Sequence, residues 1–310
     1  MNERFSRRTF IAGVAALGFG ANVPIGATTR RTLLVYDSRE PISNSLLPAI
    51  REALSSDQLS AIDVSRSPNL STADKTDAPS LIIGIGDTAA TSVVAEVDRH
   101  PNARILAAGV SGIDPTWPER GVSSMPLSPN YEAYLQRLVT TFPTIKKLGV
   151  LQGTRTTMQL EQLSRAASGS GIELVNYEIF KREELSNGLD YVARRADALF
   201  ALPEPTLYNQ FTARHILTYS LRQRLPLIGP SEAWVRNGAV FSVRLDFSAV
   251  GAFYGTLGNR LLAGEAIPAP SALAIPADAQ SYVLSPRNTS IHRLAIAADL
   301  PDDVKAATNE

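Results

Sequence analysis

The chain alternates short aliphatic runs with amphipathic stretches, and it does so in two successive series. In the first, Thr32-Leu-Leu-Val-Tyr36 is a buried-strand run bounded by Asp37-Ser38, and residues 45–54 follow with helical spacing. Ala61-Ile-Asp-Val64 is a second run. Ser80-Leu-Ile-Ile-Gly-Ile85 is the clearest strand, turning at Gly86-Asp87-Thr88 into an Ala/Val-rich helix over 89–97. Residues 104–110 give another strand. Continuous apolar runs separated by helices argue for parallel strands covered on both faces.

The second series opens with an amphipathic helix over 130–142, started by Pro129. Strands follow at 147–151, 172–175, 197–202, 225–228 and 238–243, with helices over 157–167, 185–195 and 206–224 between them. Leu33-Leu-Val-Tyr-Asp-Ser and Leu148-Gly-Val-Leu-Gln-Gly are equivalent openings. This repetition favours two doubly wound, Rossmann-like α/β lobes with parallel sheets over a closed barrel. After residue 245 come a long helix over 247–262, a crossing strand over 275–284 and a last helix over 289–298. Elements appended after the second lobe imply that the chain crosses between lobes more than once. The expected organisation is lobe 1 at 30–125 plus 245–272, lobe 2 at 126–244 plus 273–300, and a frayed tail at 301–310.

The first 27 residues read as an export signal. Ser6-Arg7-Arg8-Thr9-Phe10-Ile11 precedes an apolar stretch with no charge before Arg30. That order resembles a twin-arginine signal, and the stretch is too short and glycine-rich for a permanent anchor. A periplasmic mature protein beginning near Thr28 is expected. Formal net charge is zero, so nothing argues for nucleic acid or an anionic membrane as partner. Cysteine is absent, which excludes thiol nucleophiles, thiolate metal sites and a lipidated cysteine anchor. Only His100, His215 and His292 occur, far apart, so no metal site is expected. A third glycine after Gly84-Ile-Gly86, a P-loop lysine and a Gly-x-Ser-x-Gly elbow are all missing. No enzymatic role and no cofactor are expected.

The order of motifs resembles the ABC-transporter substrate-binding family typified by tryptophan- and tyrosine-binding members, over roughly residues 31–297. The stretches that carry the resemblance are Pro143-Thr-Ile-Lys-Lys-Leu-Gly-Val150, Asp197-Ala-Leu-Phe200, Leu225-Pro-Leu-Ile-Gly229 and Val235-Arg-Asn-Gly-Ala239. Leu261-Leu-Ala-Gly-Glu265 and Ile267-Pro268 then close the order. The resemblance implies a type I periplasmic-binding-protein fold with a multi-strand hinge. It implies capture of a small polar ligand, amino-acid-like or another small carboxylate, for an ABC permease, by a monomeric protein. A sensing subunit that docks on a membrane receptor or kinase is one alternative; an exported α/β hydrolase or isomerase is another. Departures from the family pattern fall in the turns: Asp87 stands at the family's threonine, Gly153 at its asparagine, and Glu204 and Ser231 at its aspartates. Glu232 matches the family's acid.

Ligands of open α/β sheets bind beyond the carboxyl ends of the strands. The residues expected there are Tyr36, Asp37, Ser38, Asp87, Thr88, Gln152, Arg155, Glu204, Tyr208, Ser231 and Glu232. The helices after Thr88 and Thr156 offer backbone N–H groups as a seat for a carboxylate, with Arg155 as a bidentate partner. Asp87, Glu204 or Glu232 suits an ammonium, and Tyr36, Tyr208 and Trp234 suit a planar side chain. Each has a structural alternative: Asp87 and Thr88 are helix-capping types, Arg155 suits a solvated loop, Glu204 can simply shape its proline-flanked turn, and Tyr208 and Trp234 suit the core.

Overall fold

A computed structural model of the protein describes residues 30–67, 70, 78–153, 156–204, 207–269 and 273–307. The expected signal segment, Arg155 and the last three residues lie outside them.

The first lobe holds β1 (Arg31–Tyr36), α1 (Pro41–Ala53), β2 (Gln58–Asp63), β3 (Leu81–Ile85), α2 (Asp87–Ala95), β4 (Arg104–Val110) and β5 (Val122–Pro126). Its five strands are parallel in the order β2-β1-β3-β4-β5. Period-two alternation sorts their side chains to two faces. Leu34, Ile83 and Leu106 face α1, whereas Leu33, Val35, Ile82 and Ile105 face α2. All five residues of β3 are buried, as befits the central strand of a sheet covered on both sides. α2 crosses this strand closely. A Cβ on Gly84 would lie 2.7 Å from the Ala90 Cα, so only glycine admits the helix at that distance.

The second lobe runs α3 (Tyr131–Thr141), β6 (Lys147–Gln152), α4 (Thr157–Ser170), β7 (Glu173–Glu178), α5 (Leu185–Ala193), β8 (Ala198–Phe200), α6 (Gln210–Gln223), β9 (Leu227–Gly229), α7 (Glu232–Asn237) and β10 (Phe241–Leu245). The chain then forms α8 (Phe247–Leu262), β11 (Gln280–Leu284), α9 (Pro286–His292) and β12 (Val304–Ala306). The seven strands are ordered β12-β11-β10-β9-β8-β6-β7. Leu148, Val150 and Phe200 pack on one face and Leu151, Leu199 and Leu227 on the other.

α8 leaves the second sheet and packs on the first lobe. Val250, Tyr254, Leu257 and Leu261 join the cluster of Leu46, Ile50 and Leu81. Its approach to α1 depends on small residues. A Cβ on Gly251 would lie 2.7 Å from the Ala49 Cβ, and one on Gly255 would lie 2.6 Å from the Ala53 Cβ. Asn259 then closes the carboxyl end of α1: it accepts from Ser55 N at 2.8 Å and donates to the Ala53 carbonyl at 2.8 Å. This satisfies a helix end that leaves its carbonyls without intrahelical donors.

The chain passes between the two sheets after β5, after β10 and before β11. Gln280 ties two of these crossings together, accepting from Asn130 N at 2.9 Å and donating to the Asn130 carbonyl at 3.1 Å.

Several elements differ from the sequence expectation. β11 runs antiparallel to β10, so the second sheet is not wholly parallel. β5 and α7 lack a sequence signal of their own: β5 carries two serines, and α7 is six residues long. The last helix lies earlier than expected, at Pro286–His292, because Ser285 caps it by accepting from Asn288 N at 3.2 Å. The tail is not frayed through Ala306. β12 pairs with β11, Val304 is 6% exposed, and Arg137 meets Asp303 at 2.7 Å. Burying one valine and pairing a strand edge outweighs the polar composition that suggested fraying.

Candidate functional site: the strand ends between the lobes

At the carboxyl end of the first sheet, Asp87 and Thr88 begin α2 directly after β3. The Asp87 carboxylate accepts from Ser111 twice, from N at 2.9 Å and from Oγ at 2.6 Å. The Ser111 carbonyl in turn accepts from Gln159 Nε2 at 3.2 Å. Ser111 follows β4 in the first lobe, while Gln159 lies in the first turns of α4 in the second. Asp87, Ser111 and Gln159 therefore form one hydrogen-bonded chain across the gap. Gln159 is 1% exposed, yet its Oε1 has no hydrogen-bond partner. Beside this contact is a cleft of about 560 Å³, lined by Thr91, Ile113, Trp117, Thr157, Met158 and Glu161. It lies within the usual size range for small-molecule pockets, roughly 300–1,000 Å³.

Thr88 belongs to the same end of α2, but its N–H is not open. It donates to Glu40 Oε1 at 3.0 Å, and its hydroxyl meets the same oxygen. Glu40, just before Pro41 at the start of α1, lays its carboxylate on the amino end of α2. An anion there is stabilised by free N–H groups and by the helix dipole. The sequence expectation of a seat for a ligand's carboxylate at this terminus is therefore corrected: the protein's own carboxylate fills it.

The other expected first-lobe residues stand around β1. Tyr36 is half-buried at its end. Asp37 is 1% exposed and is held by Arg39, whose Nε and Nη2 donate at 3.0 Å and 2.7 Å. That guanidinium holds the Asp37 carboxyl below its usual range, against the opposing effect of burial. Ser38 N donates to Asp63 Oδ1 at 3.1 Å, and the Ser38 and Ser65 hydroxyls are 3.0 Å apart. Asp37 and Ser38 thus order the turn that carries Glu40.

In the second lobe, Gln152 ends β6 and accepts from Asn176 Nδ2 at 2.7 Å. Glu204 is buried, 2% exposed, and packs against the backbone at Gly153. A Cβ at residue 153 would lie 2.6 Å from Glu204 Oε2, so glycine here makes room for the acid. The Glu204 carbonyl accepts from Tyr208 N at 2.8 Å. The Tyr208 ring meets Trp234 edge-on, 5.9 Å between centroids. Burial pushes the Tyr208 phenol well above its ordinary value, with the Glu204 charge adding to the effect. Both aromatic residues also line a groove of about 730 Å³ beside α6.

Ser231 is exposed at the start of α7 and makes no capping bond with its side chain. Glu232 is taken by arginines: Arg244 Nε donates at 2.8 Å and Arg236 Nη1 at 3.3 Å. Arg244 holds the Glu232 carboxyl below its usual range. Arg155 is outside the described residues. The structure thus joins Asp87 to Thr88 in one cluster and Glu204 to Tyr208 in another, and it turns Asp37 and Glu232 toward arginines. Sequence reasoning missed Glu40, Ser111 and Gln159. An acid before a proline at a helix start was the one local signal for Glu40; nothing local marks Gln159.

Among the described residues, no group of three or more His, Asp or Glu side chains is placed to hold a metal ion. Among them also, no helix is long and apolar enough to cross a membrane.

Two α/β lobes joined by three crossings, with a ligand-sized cleft lined by α2, the segment after β4 and α4, have a type I periplasmic-binding-protein fold. The description "ABC transporter substrate binding protein" matches residues 65–273, more than half of the chain. The chain belongs to this family and is an ABC-transporter solute-binding protein for small ligands. No curated protein matches it. Among solved structures, it is similar to a ligand-free, open substrate-binding protein with adhesive properties from Clostridium difficile. That likeness has 17% identity and a TM-score of 0.60, covering 90% of this chain and 100% of the other. It is also similar to a Streptococcus pneumonia domain in complex with L-Trp, at 14% identity and a TM-score of 0.55, covering 89% and 97%. A conserved domain protein from Vibrio cholerae shares 15% identity at a TM-score of 0.57, covering 90% and 99%.

Proposed function

We propose that this protein is exported through its twin-arginine signal and captures a small polar ligand between its lobes in the periplasm, as a monomer. The lobes close on the ligand, and the closed form docks on the permease of an ABC importer. It binds its ligand without transforming it. The observation that carries this reading is the Asp87–Ser111–Gln159 chain, which joins the two lobes beside a cleft of about 560 Å³. A contact of this kind changes when lobes rotate about a hinge, and hinge closure around a ligand is a common binding motion. The sites expected for the ligand are the strand ends around Tyr36, Asp87, Gln152, Arg155, Glu204 and Tyr208. The L-Trp complex of the pneumococcal domain supports including amino acids among the compounds to test.

The test is a thermal-shift screen of the purified protein over amino acids, nucleosides, sugars and small carboxylates. A ligand at about 100 times its dissociation constant adds roughly 2.7 kcal/mol of stability. Small-angle scattering with that ligand should show compaction, and the liganded protein should stimulate the ATPase activity of its importer in proteoliposomes. Binding without compaction or stimulation would overturn the transport reading.

A further inference from the structure

We infer that Glu40 sets the class of ligand that the first lobe accepts. Its carboxylate closes the α2 amino terminus to a ligand's carboxylate, and the ligand meets this junction through hydroxyl or amino donors instead, with Gln159 Oε1 as acceptor. This rests on the binding-protein reading and specifies its ligand.

Two independent observations carry it. The first is the seat: Glu40 Oε1 accepts from both Thr88 N and the Thr88 hydroxyl. A second anion at that terminus would face Glu40 at contact distance, and like charges so placed disfavour one another. Displacing Glu40 is resisted by its surroundings. Oε2 is 3.4 Å from the Ser43 hydroxyl, and Ser43 is itself fixed by donating to the Ile85 carbonyl at 2.6 Å. The second is the orphan acceptor. Gln159 commits its Nε2 to the Ser111 carbonyl, and its buried Oε1 is left without a donor. A buried, unsatisfied acceptor is costly, and a ligand N–H or O–H is the group that would satisfy it. Its neighbour across the gap, Asp87, is also an acceptor, already engaged by Ser111. The ligand-facing groups that the structure describes at the junction are therefore oxygen acceptors. Amines, polyols and nucleosides fit that chemistry; a compound gripped at α2 by its carboxylate does not.

The experiment has two arms on the purified protein. In the first, the Thr88 backbone amide is followed by ¹⁵N NMR during titration with acetate. No saturable shift is expected in the wild type, and a saturable shift is expected in Glu40→Ala, where the seat is vacant. A saturable wild-type shift, or none in either protein, would overturn the role of Glu40. In the second, ribose, adenosine and tyramine are compared with L-tryptophan and L-tyrosine by thermal shift and calorimetry. At least one of the first three should bind. Its affinity should fall tenfold or more in Gln159→Leu, with an unchanged apo melting transition, whereas an O- or N-methylated analogue that lacks the donor should bind wild type and Gln159→Leu alike. A loss that the analogue shares would assign the effect to the missing Ser111 bond and overturn the role of Oε1. Binding by the amino acids alone would overturn the inference and leave the binding-protein reading standing. Binding by neither set would overturn the inference, whereas a wider screen that finds no ligand at all would bring down the binding-protein reading as well.

Discussion

Gln159 of the second lobe and Ser111 of the first join the lobes at one point, the side-chain amide donating to the backbone carbonyl at 3.2 Å. Gln159→Ala removes that bond and the buried side chain together. The radius of gyration of the ligand-free protein, measured by small-angle scattering, should then increase, with little change in its circular dichroism. An unchanged radius would show that the crossings alone set the lobe arrangement.

The α1–α8 contact depends on Gly251 and Gly255. Replacing Gly255 by Leu places carbon where the Ala53 Cβ already stands at 2.6 Å from the first added atom. Overpacking of this kind costs about 1–3 kcal/mol, and each kcal/mol lowers the melting temperature of a domain this size by about 2–4 °C. Thermal unfolding of Gly255→Leu should show a drop of that order, whereas Gly169→Ala, inside α4 at a site with no atom within 4 Å, should not lower it, since alanine is the better helix former.

Ending the chain at residue 300 removes β12 and leaves the edge of β11 unpaired. It also removes Asp303, whose carbonyl accepts from Tyr282 N at 2.8 Å and whose carboxylate holds Arg137. A lower melting temperature and faster amide exchange along β11 are expected. Equal protection in the truncated protein would show that the strand adds nothing.

Acid should destabilise the first lobe through Asp37 and Asp63. Arg39 lowers the Asp37 carboxyl. For Asp63, burial acts to raise the pKa, but hydrogen bonds from Ser38 and Ser65 outweigh it and the net shift is downward. A depressed carboxylate contributes stability that is fully present above its unfolded value, about 4. That stability is lost as pH falls through the folded value. The wild-type melting temperature should therefore fall from about pH 5 downward. Asp63→Asn should melt lower than wild type at neutral pH, with the gap closing in acid. A gap that stays constant with pH would contradict the assignment.

Export should depend on Arg7 and Arg8. With both replaced by Lys, the protein should disappear from periplasmic fractions and accumulate inside the cell. Undiminished export of the variant would rule out the twin-arginine route.

The alternation of apolar runs and amphipathic stretches determined the α/β class, the two series and most element positions, because local periodicity follows from which face each residue buries. The Asp197-Ala-Leu-Phe200 strand and the Leu225-Pro-Leu-Ile-Gly229 turn carried the family resemblance for the same reason: they are short, contiguous and set by nearby packing. The sequence also placed Asp87 and Thr88 at the turn that follows β3. It left open what they bind, since that depends on groups far along the chain. Only the tertiary structure brings Glu40 onto the α2 terminus, 48 residues away from Thr88, and Gln159 onto Ser111. It alone sets the glycine face of α8 against α1 and pairs the polar tail with β11. A hydrogen bond between distant segments leaves no periodic trace in either one, and polar partners are chosen by the fold that delivers them.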